Sequence, residues 1–295
     1  MIQTVRIDSV DGVKDLLFEQ VQNPENKRFR SSYFYRGMPD ASFDLSTSLM
    51  RNCKEKADVL EAPLLENFIK YVSIEDPTID ESIWKAMIIG QHHGLPTRLL
   101  DWSHSTLAAL HFANTEGNLD DLDKRDCVVW RIDARELNEK LPDKYRKALN
   151  EKRTFIFSVK RLAEVTNSIE EYDRDMGATS LVTIEPPSID QRIVNQYSFF
   201  TVQPSGIKDF AAYLDENTEN TVKYIISKDL RWYLRDVLDQ LNMNERMIYP
   251  GMDGIAKWLA RHYYVKKDEF RQAAEECERS LLTTENVLRG EGCQI

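Results

Sequence analysis

An arginine set inside an aromatic run, Tyr33-Phe34-Tyr35-Arg36-Gly37, constrains this chain more than any other feature. Aromatic residues in a strand favour burial, so an arginine among them must meet an anion or a carboxylate. The glycine that follows allows backbone or a ligand to come close. The guanidinium fork suits phosphate, and an ion pair with Asp101 or Glu185 is the structural alternative. A second dense segment follows, Gln91-His92-His93-Gly94-Leu95-Pro96-Thr97-Arg98-Leu99-Leu100-Asp101-Trp102-Ser103. Pro96 imposes an extended chain on the residues around it, and Ser103 or Ser105 is placed to cap a helix starting near Thr106. Asp101 fits either a pairing with Arg98, a helix-capping role or a ligand contact.

The rest of the pattern alternates strands with irregular helices. Residues 57–71 and 83–89 have helical period, with Gly90 the expected stop of the second. Residues 127–132, 155–159, 181–184, 198–202 and 222–226 read as strands. Residues 229–241 read as an amphipathic helix, and Asp253 as the N-cap of another. The expected fold is α+β: a single large domain with a small mixed or antiparallel sheet core surrounded by helices. The expected divisions are an N-terminal strand and helix segment over 1–22, the main domain over 23–265, and a peripheral helix and tail over 266–295.

Charge and cysteine usage narrow the function classes. The chain of 295 residues carries a formal charge of −10, which argues against sequence-independent binding of nucleic acid. Yet Arg36, Arg51, Arg98 and Arg192 all fall in the motif segments, so a basic pocket in an acidic shell would favour a small anionic ligand. Cys53, Cys127, Cys277 and Cys293 lack paired spacing, which points to a reducing, cytoplasmic setting and to neither zinc nor a disulfide framework. No apolar run reaches the length of a membrane span. No phosphate loop, dinucleotide fingerprint or Gly-x-Ser-x-Gly nucleophile motif occurs. His92 or His93 remains a candidate general base, with Asp101 as its orienter in a hydrolase reading.

Taken in order, Phe34-Tyr35-Arg36-Gly37, Ser46-Thr47-Ser48-Leu49-Met50-Arg51, the segment 91–103, Ala108-Ala109-Leu110-His111-Phe112-Ala113 and the later segments 128–133, 187–201 and 249–256 resemble the FRG-domain proteins. The resemblance covers roughly residues 23–262, with tyrosine rather than phenylalanine before Arg36. The succession of Arg36, Ser103 and Gln196 also resembles the arginine-serine-glutamate layout of ADP-ribosyltransferases, with glutamine at the third place. Ser46-Thr47-Ser48 lies too soon after Arg36 for that layout, which favours Ser103. The resemblance implies NAD as substrate, held by Tyr35, Arg36, Gly37, Arg98, Trp102 and Ser103. It implies transfer of ADP-ribose to a protein or nucleic-acid acceptor, or NAD hydrolysis, in a toxin or phage-defence setting. The catalytic candidates are Glu185, Gln196, Asp101 and His92. Gln196 supplies no charge, so Glu185 first and Asp101 second would provide the anion for an oxocarbenium-like centre. The alternative is a non-catalytic nucleotide- or phospho-ligand-binding module that signals to a partner. The transferase-like reading requires Arg36, Ser103 and Gln196 to line one cleft.

Overall fold

The computed structural model describes residues 1–22, 27–115 and 117–266. The strand at Cys127–Asp133 reads as a near-continuous apolar run because both of its faces are covered. Phe34, Trp130 and Ile132 pack on one side of the sheet with Trp102 and Phe210. Tyr35, Cys127 and Val129 pack on the other with Ala109 and Ala113. Successive residues therefore enter different cores, as a strand's alternation requires.

Eight strands form one sheet: β1 Gln3–Ile7, β2 Tyr33–Met38, β3 Leu99–Ser103, β4 Cys127–Asp133, β5 Phe157–Ser158, β6 Val182–Glu185, β7 Ser198–Val202 and β8 Val222–Ile226. Their order is β1-β8-β4-β2-β3-β7-β6-β5. The two outer junctions, β1 with β8 and β6 with β5, are parallel, and the inner ones are antiparallel. The sheet is mixed and surrounded by helices, as expected, but it is not small. The outer parallel strands join through long crossovers, a pairing that residue periodicity does not display. The N-terminal stretch belongs to this sheet, since Gln3–Ile7 pairs along Val222–Ile226. The expected C-terminal helix and tail lie, from residue 267 on, outside the described residues.

The middle of the sheet has a seam. β2 pairs with β4 over six residues but with β3 only at Tyr35 and Ser103. On the far side of that seam, Leu99, Phe200 and Val202 pack with Trp84, Met87 and Tyr172 in a third core. Gly37 explains part of the divergence. A Cβ there would lie 1.7 Å from the Ala109 carbonyl oxygen and 2.6 Å from the Ala113 nitrogen, so β2 lies directly against the Thr106–Ala113 helix. The close approach that this glycine permits is to backbone. Ser105, rather than Ser103, caps that helix by accepting from the Ala108 amide.

The Ile83–His92 helix runs past Gly90, contrary to the expected stop. Gly90 is buried, and its missing Cβ makes room for Leu95, whose Cδ2 would lie 2.7 Å away. The stop is Gly94, at φ +90, a conformation open to glycine. Leu95 donates to the Gly90 carbonyl at 2.8 Å and Gly94 to that of Gln91 at 3.0 Å, the paired bonds of a Schellman ending. The extra turn brings Gln91 and His92 onto the helix. Asp253 likewise sits in the first turn of the Met252–His262 helix, whose N-cap is Gly251. The glycine takes that place at φ 105, and no side chain caps the end.

Candidate functional site: an arginine-lined cleft at the sheet seam

A cleft of about 400 Å³ opens where β2 and β3 part, bordered by Arg36, Gln91, Asp101, Ser103, Arg192 and Gln196 among others. A narrower compartment of about 130 Å³ adjoins it, sharing Arg36, Gln91 and Asp101 and adding Ser46, Ser48 and Arg51. The wider space falls in the range of small-molecule sites, roughly 300–1,000 Å³.

Arg36 is held along one edge only. Its Nη1 donates to the Asp101 carbonyl oxygen at 2.7 Å and approaches the Asp101 carboxylate at 3.4 Å. Its Nε is buried without a partner. Nη2 has no hydrogen bond among the described residues. Burial pulls this guanidinium below the usual arginine range, Asp101 pushes it back up, and neighbouring Arg51 pulls it down further. Arginine stays protonated in proteins, so the cleft holds a charge that Asp101 compensates only in part.

Asp101 is fixed through a relay. The Leu99 amide donates to Thr97 Oγ1 at 3.2 Å, so the hydroxyl proton of the buried Thr97 turns to Gln91 Oε1. Gln91 then directs its amide nitrogen to Asp101 Oδ1 at 2.7 Å. The Asp101 side chain is nonetheless 59% exposed. It is the one carboxylate among the described residues lining either compartment.

Arg36, Ser103 and Gln196 border the same cleft although 160 residues separate the first from the last. Ser103 and Gln196 are tied into the scaffold. Ser103 Oγ donates to the Gln196 carbonyl at 2.6 Å and accepts from the Ser105 amide at 3.0 Å. The Gln196 side-chain amide donates to the Ile248 carbonyl at 3.2 Å. Tyr35, Gly37 and Trp102 also border the cleft, but Tyr35 and Trp102 are almost fully buried in its wall, and the Trp102 indole donates to Thr201 at 3.0 Å. That burial leaves neither ring free to stack on a ligand.

Three expected site residues lie elsewhere. Arg98 is buried in an ion cluster, with Nε 2.7 Å from Glu61 Oε1 and Nη2 3.2 Å from Asp173 Oδ2. The partner considered for Arg98, Asp101, belongs to Arg36 instead. Glu185, at the exposed end of β6, borders a separate depression with Lys85, Ser158 and Val159. His92 lies 3.4 Å from Asp190 through Nε2 and does not line the cleft. Burial lowers its pKa, which the Asp190 carboxylate partly offsets.

Arg51 and Arg192 were expected in a basic pocket without a defined role, and Gln91 had no expected role. Arg192 stacks over Tyr249, its guanidinium carbon 4.8 Å from the ring centroid, and has no ion pair among the described residues. Arg51 donates to the Ser46 carbonyl. Gln91 lay inside the quoted motif, but its role depends on Thr97, and spacing alone does not reveal that.

Residues 31–121 match the FRG domain. The match takes in β2, Arg51, the Gln91–Asp101 relay and the Thr106–Ala113 helix, and it ends before Arg192 and Gln196. No curated protein and no solved structure matches the chain. Among the described residues, no helix is long and apolar enough to cross a membrane.

Proposed function

We propose that the cleft binds NAD as a substrate and that the protein transfers ADP-ribose to a macromolecular acceptor or to water. The observation that carries this reading is the set of three arginines, Arg36, Arg51 and Arg192, around spaces in which Asp101 is the one carboxylate lining residue described. Three positive groups against one negative leave an excess that a pyrophosphate would match. The free Nη2 edge of Arg36 suits a phosphate oxygen. In the reaction the bond between nicotinamide nitrogen and ribose C1′ breaks, and the electron pair leaves with nicotinamide. A nucleophile of the acceptor then bonds to C1′ and loses its proton. The cationic ribose between these events needs a nearby anion. In this reading Asp101 provides it, with Gln91 holding the carboxylate in position. Glu185 borders a different depression and is displaced from that role. Gln196 and Ser103 tie main chain together at the border of the cleft.

The test is release of free nicotinamide and formation of ADP-ribosylated products on incubation with NAD. Asp101→Asn should cut turnover by roughly 10²–10³, the loss typical of removing one electrostatic stabiliser, while NAD binding persists. Glu185→Gln should turn over as wild type does. Normal turnover by Asp101→Asn defeats the mechanism. One observation favours a second reading, a nucleotide-binding module without turnover: the Ser103 hydroxyl and the Gln196 amide are both committed to main-chain carbonyls. NAD binding without nicotinamide release, with every acceptor tried, would select it.

A further inference from the structure

The narrow compartment beside the cleft has its own chemistry. At about 130 Å³ it is too tight for a nucleobase with its ribose but accommodates a tetrahedral anion. Two guanidinium groups, Arg36 and Arg51, border it, close enough for each to oppose the other's charge. Like charges held together in a part-buried space are unfavourable unless an anion joins them. Asp101 does not serve Arg51, whose one side-chain hydrogen bond among the described residues goes to the Ser46 carbonyl. Ser48 Oγ is already used, accepting from the Thr97 amide at 3.0 Å and donating to the Thr97 carbonyl at 3.3 Å. The Ser46 hydroxyl makes only a 3.5 Å contact with the Thr47 carbonyl and is free to turn.

We propose that this compartment, bounded by Arg36, Arg51 and Ser46, is a subsite for a phosphomonoester, so that the preferred ligand is a dinucleotide carrying a ribose phosphate in addition to its pyrophosphate. The inference rests on the NAD reading for the body of the ligand and deepens it. The wide space, with Arg192, takes the pyrophosphate. The narrow one, with Arg51, takes the terminal phosphate, and Arg36, which borders both, donates from its free Nη2 between them. A phosphomonoester brings nearly two negative charges and several acceptor oxygens, which two guanidinium forks and a hydroxyl can meet. Arg51 is exposed on a short helix, Ser48–Cys53, so its removal leaves the core intact.

The experiment compares NAD with NADP by calorimetric titration of wild type and Arg51→Gln. Wild type should bind NADP about tenfold to a hundredfold more tightly than NAD, the value of one added charge-assisted contact. Arg51→Gln should bring the two within about twofold by weakening NADP alone. Equal affinities in wild type, or equal losses for both ligands in the variant, overturn the subsite. If neither dinucleotide binds wild type, the NAD reading falls and inorganic phosphate decides the subsite separately. A rise in melting temperature with phosphate that Arg51→Gln abolishes supports it, and no rise overturns it.

Discussion

Two arginines of the same FRG-domain segment should respond in opposite ways to truncation. Arg98 and Glu61 are both almost fully buried, with side-chain exposures of 6% and 5%. Arg98→Ala strands the Glu61 carboxylate in the interior and removes the partner of Asp173 as well. Breaking a buried pair from one side costs about 3–5 kcal/mol. At about 2–4 °C per kcal/mol for a chain of this size class, the melting temperature should fall by roughly 6–20 °C. Arg36 has the opposite setting. Arg36 is itself only 17% exposed, but its partner carboxylate is 59% exposed and 3.4 Å away, so its removal strands no buried charge, and water can replace the lost donor to the Asp101 carbonyl. Such a pair is worth about 0–1 kcal/mol, and removing Arg36 also relieves its repulsion with Arg51. Arg36→Ala should therefore melt within roughly 4 °C of wild type while losing its stabilisation by NAD. The assay is thermal denaturation of both variants with and without NAD. An apo loss for Arg36→Ala as large as that for Arg98→Ala would refute the assignment of one arginine to the scaffold and the other to the ligand.

Two further outcomes follow from burial elsewhere. His111 is fully buried beside Arg235, and burial, followed by that arginine's charge, holds its pKa down to about 3. The unfolded chain binds a proton near pH 6.5 and the folded one does not, so His111 costs stability as pH falls from 6.5 toward 3, by at most about 1.4 kcal/mol per pH unit. Urea midpoints of wild type and His111→Gln should diverge on this account below pH 6.5, and a difference independent of pH would contradict it. Gly37→Ala would set a methyl 1.7 Å from the Ala109 carbonyl oxygen, in backbone that cannot swing aside. A loss of at least about 3 kcal/mol, at or beyond the top of the usual overpacking range, is expected in urea denaturation, and a soluble variant of wild-type stability would show that β2 and the helix are less tightly joined.

The sequence located most of the strands because their burial is local and patterned. Residues 198–202 and 222–226 were read to the residue, and 127–132 falls one short of β4. Sheet size was not legible, since β1 and β5 join its two edges through parallel pairing with strands distant in sequence. The Gly90 stop failed because a glycine can mark either a chain reversal or a close contact. Here Gly90 yields space to Leu95 and Gly94 makes the reversal. The site was half legible. Arg36 and Asp101 were visible as an arginine in an aromatic strand and a carboxylate in a dense motif. Arg98, four residues past Gly94 in that motif, looked equally available, and only the arrival of Glu61 and Asp173 from other helices shows that it is spent on the scaffold.

The seam explains why the cleft lies where it does. Gly37 draws β2 against the Thr106–Ala113 helix, and the ladder to β3 stops after Tyr35 and Ser103. Beyond that pair, the Asp101 carbonyl has no backbone donor from β2. Arg36 reaches across the gap and donates to it at 2.7 Å, so a side chain stands in for a missing rung of the sheet. That geometry fixes one edge of the guanidinium against main chain and leaves Nη2 without a hydrogen bond among the described residues. The stitch also sets Asp101, through its own main chain, at the mouth of the opening it helps to hold. A lysine at position 36 could reach the same carbonyl with a point charge but could not also present a second planar pair of donors. Arg36→Lys should therefore keep the fold and the seam and still lose ligand binding. A fully functional Arg36→Lys variant would mean that the fork is not what the ligand reads.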